Sequence, residues 1–268
     1  MSSSIPLKTE REIHALRQSG ILAASILAEV AQWIEPGVSL RQIDEYAAQL
    51  IKKNGARSPF LGYRGFPGHT CISVNEEVVH GTPRERKIQY GDIVSVDLGV
   101  IYGGWVGDTA TTIVVGSVDS EIQRLVNITE QSLYLAIDKA RPGHRLSDVS
   151  HAVESFVQAN GFSVVREFVG HGIGRTLHEE PQIPNYGPPG HGPKLKPGMT
   201  LAIEPMVNLG EPGIKYLADK WTAVTVDGKP SAHFEHTVLI TQNEPEILTI
   251  PNGKSEEIMN KLKQAHIL

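Results

Sequence analysis

Apolar residues recur with the period of an α-helix in four stretches of the chain. These stretches are residues 8–34, 36–55, 119–140 and 142–161. Their spacing predicts amphipathic helices that bury one face against a core. Runs rich in apolar and β-branched residues, which are typical of strands, occupy residues 93–100, 108–115, 198–204, 221–226 and 233–240. Pairs of helices and groups of strands therefore alternate, which predicts an α+β protein with helices on one face of an antiparallel sheet.

Two of the helical stretches repeat one pattern. Residues 36–55 and 142–161 align without a gap and share Pro-Gly at the start, leucine at the fifth position and Asn-Gly at the end. The terminal Asn-Gly predicts a left-handed helix cap in both stretches. Such an alignment indicates an internal duplication.

The likeness continues beyond these helices. A loop with His80 matches a loop with His178, and a strand that ends at Asp97 matches one that ends at Glu204. Chance likeness of helix–strand units is the alternative, but both acids fall in register, which favours duplication. We predict a flexible N-terminus over residues 1–7 and a single domain over residues 8–268. Its repeated halves span about residues 8–116 and 117–250, with a site at their pseudo-twofold axis.

The first half carries two acids that a hairpin can bring together. Gly103-Gly104 joins two strand-like runs, and Gly-Gly is a signal for a two-residue hairpin. With that turn, Asp97 lies opposite Ala110, and Asp108 points to the same sheet face as Asp97. A lone aspartate at a strand end is usually a turn residue. Two on one inner face repel each other, and a bound cation is the simplest compensation. A bulge would change this register.

The second half carries two more acids, Glu204 and Glu235, within apolar strand-like segments. Residues 221–226 are predicted to form a strand that the turn at 227–230 joins to the strand with Glu235. We therefore expect a three-stranded meander with Glu204 and Glu235 facing one interior.

Composition narrows the class of protein. The chain has 268 residues and a net charge of −5, so a nucleic-acid partner is not expected. The N-terminus lacks a secretory signal, and the apolar stretch 21–34 is too short to span a bilayer. Cys71 is the single cysteine, which excludes an internal disulfide and fits a reducing compartment. We expect a cytoplasmic protein without a membrane partner.

Three of the eleven histidines lie in contexts that suit a site. His171 is surrounded by glycines, so the backbone can approach a ligand closely. His178 follows seven residues later, which is not the spacing of a helical zinc motif. His80 is its partner in the repeat. Taken singly, each fits a structural role as well as a ligand role. The remaining loop histidines are left undecided, namely His69, His191 and His233.

Six stretches in this order resemble type I methionine aminopeptidase, an enzyme with the pita-bread fold. They are Cys71 to Glu76 with Val79-His80-Gly81, Asp92 to Gly99, Gly107-Asp108-Thr109, Gly170 to Gly174, Ile203-Glu204-Pro205-Met206 and Phe234-Glu235-His236-Thr237. The resemblance covers about residues 8–250. It implies hydrolysis of the N-terminal methionine from peptides and nascent proteins, with a small second residue preferred.

The resemblance also implies two divalent metal ions. Asp108 and Glu235 would bridge the ions, Asp97 would complete one, and His171 with Glu204 would complete the other. Four carboxylates and one imidazole suit Mn, Fe or Co about as well as Zn. Two metal ions can supply both an activated water and a polarised carbonyl for peptide hydrolysis.

The resemblance assigns further residues to catalysis and substrate binding. Glu204 would accept a proton, His178 would donate to the oxygen of the tetrahedral intermediate, and His80 would hydrogen-bond the scissile amide. The substrate-binding residues would be His80 and His178 with Tyr63, Phe66, Cys71 and Trp221. Ordinary core packing is the alternative for Tyr63, Phe66 and Trp221.

Two other functions fit part of this pattern. A Xaa-Pro aminopeptidase or prolidase uses the same ligand types, but carries a large extra N-terminal domain and lacks the Cys71 to Glu76 pattern. A non-catalytic protein that kept the pita-bread fold should have lost ligands, and all five stand here. The expected partner is the N-terminus of a peptide or nascent protein. Transient ribosome association stays open, and a monomer is expected.

Overall fold

The computed structural model describes residues 4–264. Residues 1–3 and 265–268 lie outside the described residues; they begin the predicted flexible N-terminus and end the predicted domain. Within the described part five α-helices form: α1 (Glu10–Trp33), α2 (Leu40–Lys53), α3 (Ser120–Lys139), α4 (Leu146–Ala159) and α5 (Ser255–Gln264). The first four lie within the four stretches of helical period, so those predictions are confirmed. None of the described helices is both long and apolar enough to cross a membrane.

Helices α2 and α4 end in the same way. The Asn54 and Asn160 side-chain amides each donate to the backbone carbonyl four residues earlier, at 2.9 Å. Gly55 and Gly161 follow with φ of +70° and +81°. Glycine reaches this left-handed conformation without steric cost, so it ends the helix. Both predicted caps are confirmed, whereas the duplication of the halves stays a prediction.

The strands form one large sheet and two small ones. They are β1 (Cys71–Val74), β2 (Glu77–Val79), β3 (Ile93–Tyr102), β4 (Trp105–Val114), β5 (Ser163–Val164), β6 (Gly170–Gly172), β7 (Glu179–Ile183), β8 (Thr200–Ile203), β9 (Met206–Asn208), β10 (Ile214–Tyr216), β11 (Ala223–Thr225), β12 (Ser231–His233), β13 (Glu235–Leu239) and β14 (Glu246–Ile247). The large sheet has the order β1-β3-β4-β13-β8-β6-β7, and β14 pairs with β13. The small sheets are β10-β11-β2 and β12-β9-β5. The pairings between these strands are antiparallel, which confirms the α+β class.

The helices cover one face of the large sheet. Alternate residues of β3 pack in a core with α1 and α2: Val94, Val96, Leu98 and Val100. A second core joins α3 and α4 to β8 and β13. Burying each such side chain stabilises the fold by about 1.5–3 kcal/mol. Because successive strand residues point to opposite faces, the positions between them, including Asp97, are directed to the other face.

The predicted meander before Glu235 is wrong. Strand β11 pairs with β10 and β2, not with the strand of Glu235, and β13 pairs instead with β4 and β8. The turn after β11 leads into β12, which pairs with β9, and the Asp227 carboxylate in this turn accepts from the Glu211 backbone N–H at 2.9 Å. Asp97 also does not end its strand, since β3 continues to Tyr102 and the hairpin turn.

Candidate active site

The hairpin of β3 and β4 determines the positions of Asp97 and Asp108. Tyr102 pairs with Trp105 across Gly103-Gly104, whose φ values are +58° and +81°. Two central residues with positive φ form the turn that suits the twist of a hairpin. Asp97 then lies opposite Ala110, with no shift of register along the pair. The predicted register is confirmed, so Asp97 and Asp108 point to one face.

Strand β13 places a third acidic residue beside Asp97 and Asp108. Glu235 of β13 also pairs with Ala110, so Asp97, Ala110 and Glu235 lie side by side across three strands. Neighbouring strands are about 4.8 Å apart, which places the two acidic residues about 10 Å apart at the backbone. The residue between them presents only a methyl group. Their carboxylates can therefore extend toward each other above Ala110, with Asp108 two residues along β4.

His171 and Glu204 lie close to these acids as well. His171 Nε2 lies 3.8 Å from Asp108 Oδ2 and 3.6 Å from Glu204 Oε1. Ligand-type atoms of Asp108, His171 and Glu235 all lie within 4.8 Å of one another. All five predicted ligand residues line one cavity of about 620 Å³.

The glycine beside His171 is required by close packing. A Cβ on Gly172 would lie 2.0 Å from the Glu180 carbonyl oxygen, which no side chain tolerates. The pairing of β6 with β7 shifts register between His171 and Gly172. A bulge of this kind redirects a side chain, which here is the imidazole.

The electrostatics of the group fit divalent cations. Burial, then the charges of Asp108 and Glu204, raises the pKa of Asp97 and Glu235 well above the usual range. Burial raises the pKa of Asp108 and Glu204 to about 8. Asp97 Oδ1, Asp108 Oδ1 and Glu235 Oε1 are buried without a hydrogen-bond partner. Asp108 and Glu204 lie 3.5–3.8 Å from the imidazoles of His171 and His233, and burial lowers the pKa of both rings so that they are neutral. Among the described residues, no lysine or arginine forms a salt bridge with the four acids. Oxygen ligands for a hard cation are thus present without another counter-charge.

His171 has the state that a metal ligand needs. Burial, followed by the neighbouring His178, lowers the pKa of His171 to about 3, so the ring is neutral at physiological pH. Its Nδ1 lies 2.9 Å from the Gly172 carbonyl oxygen. Because a carbonyl only accepts, Nδ1 carries the proton and Nε2 presents a lone pair to the acids.

His80 and His178 both line the cavity. The His178 ring centroid is 4.4 Å from that of His171, and His178 Nδ1 is 2.8 Å from the Tyr63 hydroxyl. His80 packs edge-on against Phe168, at 5.0 Å between centroids. Its φ of +60° is uncommon for a residue with a side chain, and such backbones concentrate at functional sites.

The remaining predicted residues form an apolar wall of the cavity. Phe66 and Cys71 are buried with Phe60 and Leu177, and Trp221 packs edge-on against Phe66 at 5.2 Å. Cys71 pairs with Asp97 across β1 and β3, which puts this wall directly beside the acids. All the predicted site residues therefore line one cavity.

Two residues near Glu204 were not predicted. His233 Nε2 lies 3.5 Å from Glu204 Oε2, and the Asn185 side chain donates to the Glu204 backbone carbonyl at 2.8 Å. His233 ends β12 and Glu235 begins β13, so their closeness along the chain is the one signal that the sequence offers for His233. Asn185 lies in a Pro/Gly-rich segment without any comparable pattern.

The N-terminal segment holds the loop that carries His178. Lys8 Nζ lies 2.6 Å from Glu179 Oε2, with the two side chains 6% and 15% exposed. The other Glu179 oxygen accepts from the Arg175 backbone N–H at 2.9 Å. Lys8 therefore compensates the carboxylate that orders the turn before His178.

We expect Lys8→Met to lower the free energy of unfolding by about 2–3 kcal/mol, because Glu179 would keep a largely buried charge without its partner. Urea unfolding measures the loss. The matched control is Lys254→Met, whose pair with Glu257 is exposed and should contribute less than about 1 kcal/mol. Equal losses in the two variants would contradict the role of Lys8.

The sequence of the chain matches a known family. The model of metallopeptidase family M24 matches residues 14–242. The chain belongs to metallopeptidase family M24. Among M24 relatives, methionine aminopeptidase 1 of Bacillus subtilis is 52% identical over 242 residues, which cover 90% of this chain and 98% of that protein.

Solved structures of M24 proteins share the fold. The crystal structure of methionine aminopeptidase from Thermotoga maritima matches with a TM-score of 0.90 and 49% identity, over 92% of this chain and 100% of that one. Prolidase from Pyrococcus furiosus matches with a TM-score of 0.75 and 26% identity, over 91% of this chain but 65% of that one. The predicted pita-bread fold and the resemblance to methionine aminopeptidases are confirmed.

Proposed function

We propose that this chain is a methionine aminopeptidase of the cytoplasm, which removes the N-terminal methionine during protein maturation. Its substrate is the N-terminus of a peptide or nascent protein with a small second residue. The observation that carries the proposal is one cavity with two unlike walls. Four carboxylates and a neutral imidazole line one wall, and apolar side chains line the other. The relatives named methionine aminopeptidase support this substrate.

The proposed cofactors are two divalent metal ions, Co, Mn, Fe or Zn. Asp97, Asp108, His171, Glu204 and Glu235 would hold them. When bound, such ions act as Lewis acids toward a carbonyl and lower the pKa of water. The buried carboxylate oxygens without partners support this ligand set.

The chain's own residues then perform the remaining steps. Glu204 accepts the proton of the attacking water, since its carboxylate lies at the acid cluster. His178 donates to the oxygen that becomes negative in the transition state. His80 hydrogen-bonds the nitrogen of the scissile amide and helps the amine to leave. The apolar wall excludes water and receives the methionine side chain, which it can hold without a polar partner.

The test uses the full chain after chelation and reloading with each metal in turn. We expect two ions per chain by elemental analysis and cleavage of Met-Ala-Ser that the chelator abolishes. Faster cleavage of a Xaa-Pro peptide would favour the prolidase-like activity instead. Tight partner binding by a metal-free, inactive chain would favour a non-catalytic protein. Sedimentation tests the expected monomer, and ribosome co-pelleting tests whether the chain associates transiently with ribosomes.

A separate prediction concerns His178. His178→Ala should lower kcat on Met-Ala-Ser by about 10²–10³-fold, because one donor to the developing negative charge is removed. Metal content should stay unchanged, since His178 is assigned to the substrate and not to the ions. The control His191→Ala changes an exposed histidine outside the cavity. Loss of an ion from the His178 variant would instead make His178 a ligand.

A further inference from the structure

His233 is held firmly beside the acids. It ends β12, is only 2% exposed and lines the cavity. Thr112 of β4 fixes its backbone on both sides. The Thr112 hydroxyl accepts from the His233 N–H at 3.0 Å and donates to the His233 carbonyl at 2.7 Å. The same strand carries Asp108, so the His233 backbone is fixed relative to Asp108.

The Nε2 nitrogen of His233 lies near the carboxylate of Glu204. His233 Nε2 is buried and without a hydrogen-bond partner in the described structure, and lies 3.5 Å from Glu204 Oε2. The other oxygen of that carboxylate, Oε1, lies 3.6 Å from His171 Nε2. The two oxygens of Glu204 thus face two different imidazoles. The distance from His233 exceeds an N–H···O bond of about 2.7–3.2 Å, and a small side-chain rotation closes it. Hydrogen bonds between catalytic groups are often long in an unliganded protein and shorten in the complex with substrate.

We propose that His233 is a positioning residue for Glu204. Its Nε2–H donates to Oε2 and thereby holds Oε1 toward His171 and Asp108. The inference rests on the proposed function of Glu204 as ligand and proton acceptor.

Glu204 needs such a restraint because χ3, the last torsion of a glutamate side chain, has a broad distribution of angles. The torsion alone therefore does not fix the orientation of the two carboxylate oxygens. Asn185 holds the Glu204 backbone carbonyl but does not touch the carboxylate. A neighbouring carboxylate also selects the tautomer with the proton on Nε2. His233 therefore supplies the hydrogen-bond donor that can orient the Glu204 carboxylate.

The test compares two substitutions of His233. His233→Gln keeps an N–H donor of similar reach, whereas His233→Leu has a similar volume and no donor. We measure kcat and KM on Met-Ala-Ser, and titrate Mn²⁺ calorimetrically into the chelated full chain. His14→Leu is the matched control, because His14 is exposed on α1. If the leucine variant does not fold, His233→Met replaces it, since methionine adapts to irregular space.

We expect His233→Leu to lower kcat and the Mn²⁺ affinity of one site by about 10–100-fold, as loss of a partner behind a metal ligand does. KM and the number of ions should not change, and His233→Gln should recover most of both losses. Wild-type behaviour of the leucine variant would overturn the proposal. So would a glutamine variant no better than leucine, or loss of one ion from both, which would make His233 a ligand. If the unsubstituted chain does not cleave methionine peptides, the proposed function fails while the Mn²⁺ titration still tests His233.

Discussion

Glu235→Ala should abolish both metal loading and cleavage of Met-Ala-Ser. Glu235 is 2% exposed and stands in the row with Ala110 and Asp97, where its carboxylate would help to hold the two ions. Glu235 lies in the close group with Asp108 and His171, and the substitution removes both of its oxygens from the proposed ligand set. Elemental analysis should give almost no ion per chain, with no measurable turnover above the chelated control.

Thermal unfolding gives an independent measure of the same change. A ligand that binds only the folded state stabilises it, by about 2.7 kcal/mol at a concentration 100 times its Kd. Added Mn²⁺ should therefore raise the Tm of the unsubstituted chain and not that of the Glu235 variant. The matched control is Glu257→Ala, an exposed glutamate, 58% accessible, that should keep both ions. A Glu235 variant with two ions and normal turnover would show that Glu235 is not a metal ligand.

The first hairpin could be predicted from the sequence because its determinants are local. Gly103-Gly104 sets the turn, and the period of two then sets which residues of β3 and β4 share a face. The four helices and both Asn-Gly caps have equally local signals. Local patterns of this kind also place Asp97 and Asp108 together before any coordinates are known.

The second half could not be predicted in the same way because its pairings join distant residues. The Thr109 hydroxyl donates to the carbonyl of Glu235 at 2.8 Å, across 126 positions of the chain. Sequence proximity favoured a meander through residues 221–226, but β13 takes β4 and β8 as neighbours. The position of Asn185 beside Glu204 depends on such distant packing as well.

The roles of the site residues stay predictions, although the cavity brings their side chains together. Geometry alone does not separate a ligand from a group that orients a ligand. His171 and His233 both face Glu204, at 3.6 Å and 3.5 Å from its two oxygens. His171 belongs to the close group with Asp108 and Glu235, whereas His233 does not. This difference is the physical basis for assigning them different roles.

Ala110→Leu should displace at least one metal ion from the proposed site without removing any ligand residue. Ala110 is 4% exposed and pairs with both Asp97 and Glu235, so its methyl group forms the floor between their carboxylates. A leucine there would occupy the space where the carboxylates converge. Overpacking of this kind costs about 1–3 kcal/mol of stability. We expect loss of at least one ion and of most turnover.

The matched control is Ala110→Gly, which leaves that space open. Glycine within a strand costs only about 0.5–1 kcal/mol relative to alanine, so this variant should fold and keep both ions. Elemental analysis and cleavage of Met-Ala-Ser compare the two variants, and circular dichroism checks that each is folded. A folded leucine variant with two ions and normal turnover would show that the acids do not meet above Ala110. Because the substitution alters no acid and no imidazole, loss of metal from leucine but not from glycine would locate the ions in the row defined by β3, β4 and β13.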